Sequence, residues 1–206
     1  KSGSQTLAYD FYSGQPTRTL SVDTYGNRFV SEVKPAYRVY PEMGLKINNS
    51  KNANMLSQVA EQLVYKVDQN NNPTGLLSAS ATVWSNQINM LNDTEQSVNT
   101  KQAHSSQPNI WRKYKTYNWL PQDRVGGLTS LNSFTPYHAG GNNLTGWILS
   151  SQITLYNKYS NPLEAFDING NYSATRMGYN QSKVVATANP AGFYEMTYAG
   201  LEDEVL

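Results

Sequence analysis

One phrase of turn-forming residues occurs twice in this chain, and it restricts the fold to short strands joined by tight bends. The longer copy is Tyr156-Asn-Lys-Tyr-Ser-Asn-Pro-Leu-Glu-Ala-Phe-Asp-Ile-Asn-Gly-Asn171, and its echo opens the sequence at Tyr9-Asp-Phe-Tyr-Ser-Gly14. In each copy an early Asp or Asn (Asp10, Asn157) is followed by x-Tyr-Ser and then by Gly14 or Asn161. A later Asp-x-x-Gly-Asn completes it: Asp23-Thr-Tyr-Gly26-Asn27 in the first, Asp167-Ile-Asn-Gly170-Asn171 in the second. Glycine takes positive φ at no steric cost, and Asp or Asn bonds its own backbone two residues on, so both halves predict tight turns. The segments between them, Gln15 to Val22 and Pro162 to Phe166, have strand length. Strand, turn, strand, turn is a meander.

Composition points the same way. Hydrophobic residues make up 38% and charged residues 15% of 206, the balance being Asn, Ser, Thr, Gln and Gly, while 15 tyrosines favour pleated, half-buried surfaces over helices. The expected class is all-β: antiparallel hairpins and meanders with long loops and at most one short helix. A net charge of +1 lacks the basic footprint that tracks phosphates, so nucleic acid is not an expected partner. The absence of cysteine excludes disulfides and Cys-ligated zinc. No apolar run is long enough for a transmembrane helix, and Lys1-Ser-Gly-Ser leads into no signal-peptide core; a targeting signal is expected elsewhere in a longer precursor or not at all.

Taken in order, Thr6 to Tyr40 reads as a hairpin series ended by Pro35, and Pro35 to Gly44 as a loop. Met55, Val59 and Leu63 stand four apart, which suggests a short helical turn leading into a strand through Leu63 to Val67; a strand starting near Val59 is the other reading. Asp68 to Gly75 is a turn, and Leu76 to Trp84 a strand. The stretch from Asn86 to Gln107 reads as a surface loop, Ile110 to Trp119 as a strand, and Gln122 to Asn143 as irregular with bends at Gly126-Gly127 and Gly140-Gly141. Trp147 to Tyr156, Tyr172 to Met177, Lys183 to Ala188 and Gly192 to Tyr198 complete the strands. All 206 residues are expected to form one segment, with repeat-like parts at 6–40 and 152–200 and irregular insertions near 86–107 and 122–143.

No catalytic constellation is visible. His104 and His138 sit in predicted loops without an acidic neighbour, and no Gly-x-Ser-x-Gly elbow, GxGxxG or Walker pattern occurs, so no cofactor is expected. Glu164, Asp167 and Glu195 are the carboxylates that would have to pair for glycoside hydrolysis, but Asp167 already has a turn to build, as Asp23 does. The oxygens of Asp167, Asn169 and Asn171 suit calcium in kind, but the bidentate Glu of an EF-hand loop is missing, and no metal is expected. Trp84, Trp111, Trp119 and Trp147 are candidates for stacking on sugar rings; packing the interior is the competing role. Asn-x-Ser/Thr triplets at Asn48, Asn92, Asn143, Asn171 and Asn180 are what so Asn-rich a chain contains by chance.

These two-part units, with a Tyr-Asp or Tyr-Asn entry and an Asp-x-x-Gly-Asn exit, resemble the RHS or YD-repeat family. The resemblance extends from Tyr9-Asp-Phe-Tyr-Ser-Gly14 through Lys34-Pro-Ala-Tyr37, and over Trp111 to Trp119, Leu163 to Ala174, Gly178-Tyr-Asn180, Ala188-Asn and Glu195 to Asp203, and is to large surface-exposed RHS-repeat proteins of Gram-negative bacteria. It departs from the common repeat at Asn157, where Asp is usual, and at Asn161, where Gly is usual. The resemblance implies hairpins wound into a β-sheet shell, a secreted or cell-surface setting, and membership of a much larger polypeptide. It also implies that the remainder of that polypeptide, or other surface or secretion proteins, covers the sheet edges. The family's enclosed toxin and self-cleaving protease lie on segments that nothing here matches. The expected function is a non-enzymatic wall or scaffold; the alternative is a carbohydrate-binding or adhesive module using exposed Tyr and Trp.

Overall fold

The structure is a computed structural model that describes residues 2–48, 50–88, 110–120, 124–138 and 144–196. It is all-β and antiparallel, and its twelve strands among these residues are β1 (Gly3–Tyr9), β2 (Pro16–Val22), β3 (Arg28–Pro35), β4 (Val59–Val67), β5 (Pro73–Ser85), β6 (Arg112–Trp119), β7 (Arg124–Val125), β8 (Leu128–Thr129), β9 (Trp147–Tyr156), β10 (Pro162–Asp167), β11 (Tyr172–Gly178) and β12 (Lys183–Ala188). The hydrogen-bonded order is β1-β2-β3-β4-β5-β6-β9-β10-β11-β12, with the β7–β8 pair attached to β5. The sheet is open: among the described residues no strand pairs with the outer side of β1 or of β12.

The chain forms two compact units. The first takes Lys1–Trp84 and Thr116–Leu149, the second Ser85–Lys115 and Ser150–Leu206. In the first, Leu20, Val30 and Val67 bury one side of β2, β3 and β4. Next to this group lies an aromatic cluster in which Tyr117, Trp119 and Trp147 pack on Leu76, Ala79 and Ala81. Alternation along β5 would send Leu76 and Ala79 to opposite faces. A bulge between the pairs Tyr65↔Leu76 and Val64↔Ser78 leaves Leu77 unpaired and returns Ala79 and Ala81 to the face of Leu76. In the second unit Leu155, Leu163, Ala174 and Phe193 form the core.

Three elements differ from the sequence expectation. No helical turn precedes β4, because Asn54 is left-handed at φ 63° and the N–H groups of Asn54 and Met55 donate to the carbonyls of Gly44 and Met43. The irregular stretch after Gln122 contains the two-stranded β7–β8 hairpin, turned by Gly126 and Gly127 at φ 61° and 81°. The described part of the expected strand from Gly192 to Tyr198, Gly192 to Met196, is not a strand: Phe193–Glu195 is a 3-10 turn, and two others stand at Ala36–Arg38 and Pro41–Met43. Outside the described residues lie His104, Asn92, Asn143, Gly140-Gly141, most of the predicted loop from Asn86 to Gln107, and Thr197 to Asp203.

Candidate functional site

The Asp-x-x-Gly-Asn half of the repeated phrase folds into one kind of hairpin loop, whereas the entry halves at Asp10 and Asn157, expected to correspond, fold differently. Asp23-Thr-Tyr-Gly-Asn27 joins β2 to β3 between the partners Val22↔Arg28. Asp23 Oδ1 accepts the N–H groups of Tyr25 and Asn27 at 2.9 and 2.8 Å, Asn27 Nδ2 donates to Oδ2 at 2.7 Å, and Gly26 takes φ 83°. Asp167-Ile-Asn-Gly-Asn171 repeats it between Phe166↔Tyr172: Oδ1 accepts from Asn169 and Asn171 at 2.8 and 2.9 Å, and Gly170 takes φ 79°. Asp68-Gln-Asn-Asn-Asn72, read only as a turn, is a third copy between Val67↔Pro73, with Asn71 left-handed at φ 65°.

Asn157-Lys-Tyr-Ser-Asn161 is the fourth copy, between Tyr156↔Pro162. Its Oδ1 accepts from Tyr159 and Asn161 at 3.0 and 2.9 Å. The left-handed residue is Ser160, φ 68°, so Asn161 does not replace the loop's glycine; it occupies the place of Asn27 and Asn171. Asn157 therefore matches Asp23 and Asp167, not Asp10.

Asp10 builds a different, longer loop, residues 10–15, between Tyr9↔Pro16. Its Oδ2 accepts the Ser13 N–H and hydroxyl at 2.9 and 2.8 Å, while Gly14 takes φ 68°. Its Oδ1 accepts the Tyr37 hydroxyl at 2.5 Å and Arg38 Nη2 at 2.7 Å, which ties the loop to the turn after β3. Burial would raise the pKa of this 1% exposed carboxyl, but the bonds from Tyr37, Ser13 and Arg38 outweigh it and hold Asp10 well below the usual carboxylate range.

The other candidates separate. Trp119 and Trp147 are core residues, edge-to-face at 5.7 Å, with the Trp147 indole N–H donating to the Thr135 carbonyl at 2.9 Å. Neither offers a ring face to a sugar. Trp84 and Trp111 are half-buried. The buried Glu164 accepts from the Thr154 hydroxyl at 2.5 Å and from the Phe193 N–H at 2.8 Å, and Glu195 accepts from the Gly192 N–H at 2.7 Å. These two carboxylates cap the last 3-10 turn, whereas Asp167 belongs to its loop. Among the described residues no three His, Asp or Glu side chains gather as a metal-binding group, and no helix is long and apolar enough to cross a membrane.

A cleft of about 250 Å³ in the first unit was not anticipated. Lys34, Arg38, Tyr40, Glu61, Tyr137 and His138 line it. Glu61 lies opposite Lys34 of β3 and Ala81 of β5, and is buried at 9% exposure with Oε1 lacking a hydrogen-bond partner. Burial pushes its carboxyl up, against the opposing pull of Lys34, the Tyr137 backbone N–H and His138. His138 thus has an acidic neighbour in space that its local sequence lacks. Alternation along β4 puts Glu61 on the face of Leu63, Tyr65 and Val67, a polar residue in an apolar row; the helical reading of Met55 to Leu63 concealed that signal.

Fold and loops define a class, an all-β protein of antiparallel hairpins closed by Asx loops. Compared with known proteins, the chain matches no family model and no curated protein.

Proposed function

We propose that the chain is a structural segment of the wall of an RHS-type β-shell, within a larger secreted or cell-surface protein of a Gram-negative bacterium. The observation that carries this reading is the four-fold use of one five-residue loop in one register. A loop that satisfies its own backbone and resets the chain for the next strand suits a wall built hairpin by hairpin, and it ties up the Asp and Asn side chains that would otherwise be available for chemistry. The outer sides of β1 and β12, unpaired among the described residues, support it further, because exposed sheet edges invite pairing and a shell has further strands to supply it. Burial of Trp119 and Trp147 weighs against the alternative of a sugar-binding module built on the tryptophans.

The reading is tested by fractionating cells of the source organism and blotting with antibody raised to this chain. The expected result is a polypeptide far longer than 206 residues in the extracellular or cell-surface fraction. A band of the chain's own size confined to the cytosol would contradict it.

A further inference from the structure

We propose that the cleft around Glu61 is a binding site for a small hydroxylated carboxylate of the uronic-acid type, with a ligand hydroxyl donating to Glu61 Oε1 and the ligand carboxylate beside Lys34 and His138. This goes beyond the wall reading and does not depend on it.

Three observations converge. First, Glu61 Oε1 is a buried acceptor without a donor, a condition that costs free energy unless something supplies the missing hydrogen bond. Its neighbour in the cleft, the Tyr137 N–H, already bonds the same carboxyl, so an additional donor has to come from what occupies the space. Second, the exposed members of the lining are basic side chains: Lys34, Arg38 and His138. Arg38 is held by Asp10, which leaves Lys34 and His138 to face a ligand. A cation would be repelled by this lining, whereas an anion carrying donors satisfies both its charge and the buried acceptor. Third, the volume is below the range of roughly 300–1,000 Å³ typical of drug-sized ligands, so the occupant is about the size of one sugar unit. The half-buried Tyr40 and Tyr137 supply ring edges and walls that suit a hydroxylated ring.

Burial is an unfavourable setting for a carboxyl kept only for folding, since the charged form is penalised there. Glu61 instead lines an open cleft, the setting in which a buried carboxyl marks a candidate binding site.

The test is titration of the isotopically labelled chain with D-glucuronate, followed by amide and aromatic shifts, with glucose and acetate as separate arms. Glucuronate is expected to give saturable shifts at Tyr40, Tyr137 and His138 with a Kd of about 1 mM or tighter, and glucose and acetate about tenfold weaker binding at best, because each lacks one half of the recognition. Glu61→Gln and Lys34→Met are each expected to weaken glucuronate about tenfold. Should Glu61→Gln fail to fold, as judged by its amide spectrum, the exposed Lys34→Met decides the matter. Equal binding of acetate or of glucose, binding untouched by Lys34→Met, or no saturable shift in the cleft would each overturn the proposal. None of these outcomes bears on the size or location of the whole polypeptide.

Discussion

Asp10 shows how much of the local order can rest on one side chain. Its carboxylate holds its own loop together through Ser13 and anchors the turn after β3 through Tyr37 and Arg38, all from a position that is 1% exposed. Asp10→Ala leaves those donors facing each other without an acceptor and is expected to cost about 3 kcal/mol in chemical denaturation. Because the folded carboxyl titrates below its unfolded value, its contribution is present above a pH of about 4 and is lost as pH falls below it. Asp23, Asp68 and Asp167 shift the same way, through the bonds from Asn27, Asn72 and Asn171, so wild type should lose stability steeply in that window. Asp10→Asn should show a shallower acid slope than wild type. Gly146 is a second sensitive position. It has φ 81°, and a Cβ there would run into the ring of Trp119, so Gly146→Ala should destabilise by about 3 kcal/mol, more than any of the loop glycines.

Among elements, the five-residue loop closes four of the described hairpins, β2–β3, β4–β5, β9–β10 and β10–β11, and its glycine is its most testable part. Gly26 and Gly170 have open space where a Cβ would stand, so alanine at either is penalised by backbone geometry alone. The expected cost is about 1 kcal/mol each, with Asn in place of Ala costing less, as Asn71 in the third copy illustrates. Both loops were legible in the residues because Asp and Asn chemistry is local. The copies at Asp68 and Asn157 were harder to recognise because Asn71 and Ser160 replace the glycine that marks the left-handed position. What stayed hidden depends on distant partners. The choice between a helical turn and the strand start at Val59, both readable in the residues, is set by Gly44 and Met43 holding the preceding backbone, and the β7–β8 hairpin, absent from the sequence reading, by attachment of Thr129 to Leu76. In the core of the second unit Leu155 is fully buried, and Leu155→Ala is expected to cost about 3 kcal/mol by the same measurement.

For the whole molecule, the all-β class and the hairpin order were readable from turn spacing, whereas the Glu61 cleft was not, since its lining comes from residues 34, 38–40, 60–61, 82 and 137–138. Lys34 and Glu61 meet across the neighbouring strands β3 and β4, and His138 joins them from beyond β8, so no local motif announces the group. The proposed wall reading requires the strand order to continue past β1 and β12 in the native protein. Hydrogen–deuterium exchange of the isolated chain, compared with the polypeptide purified from its source, tests this directly. Outward amides of β1 and β12 should exchange rapidly in the isolated chain and become protected in the native polypeptide, while β3 and β4, already paired on both sides, should change little. Equal, rapid exchange of both edge strands in the two preparations would contradict the claim.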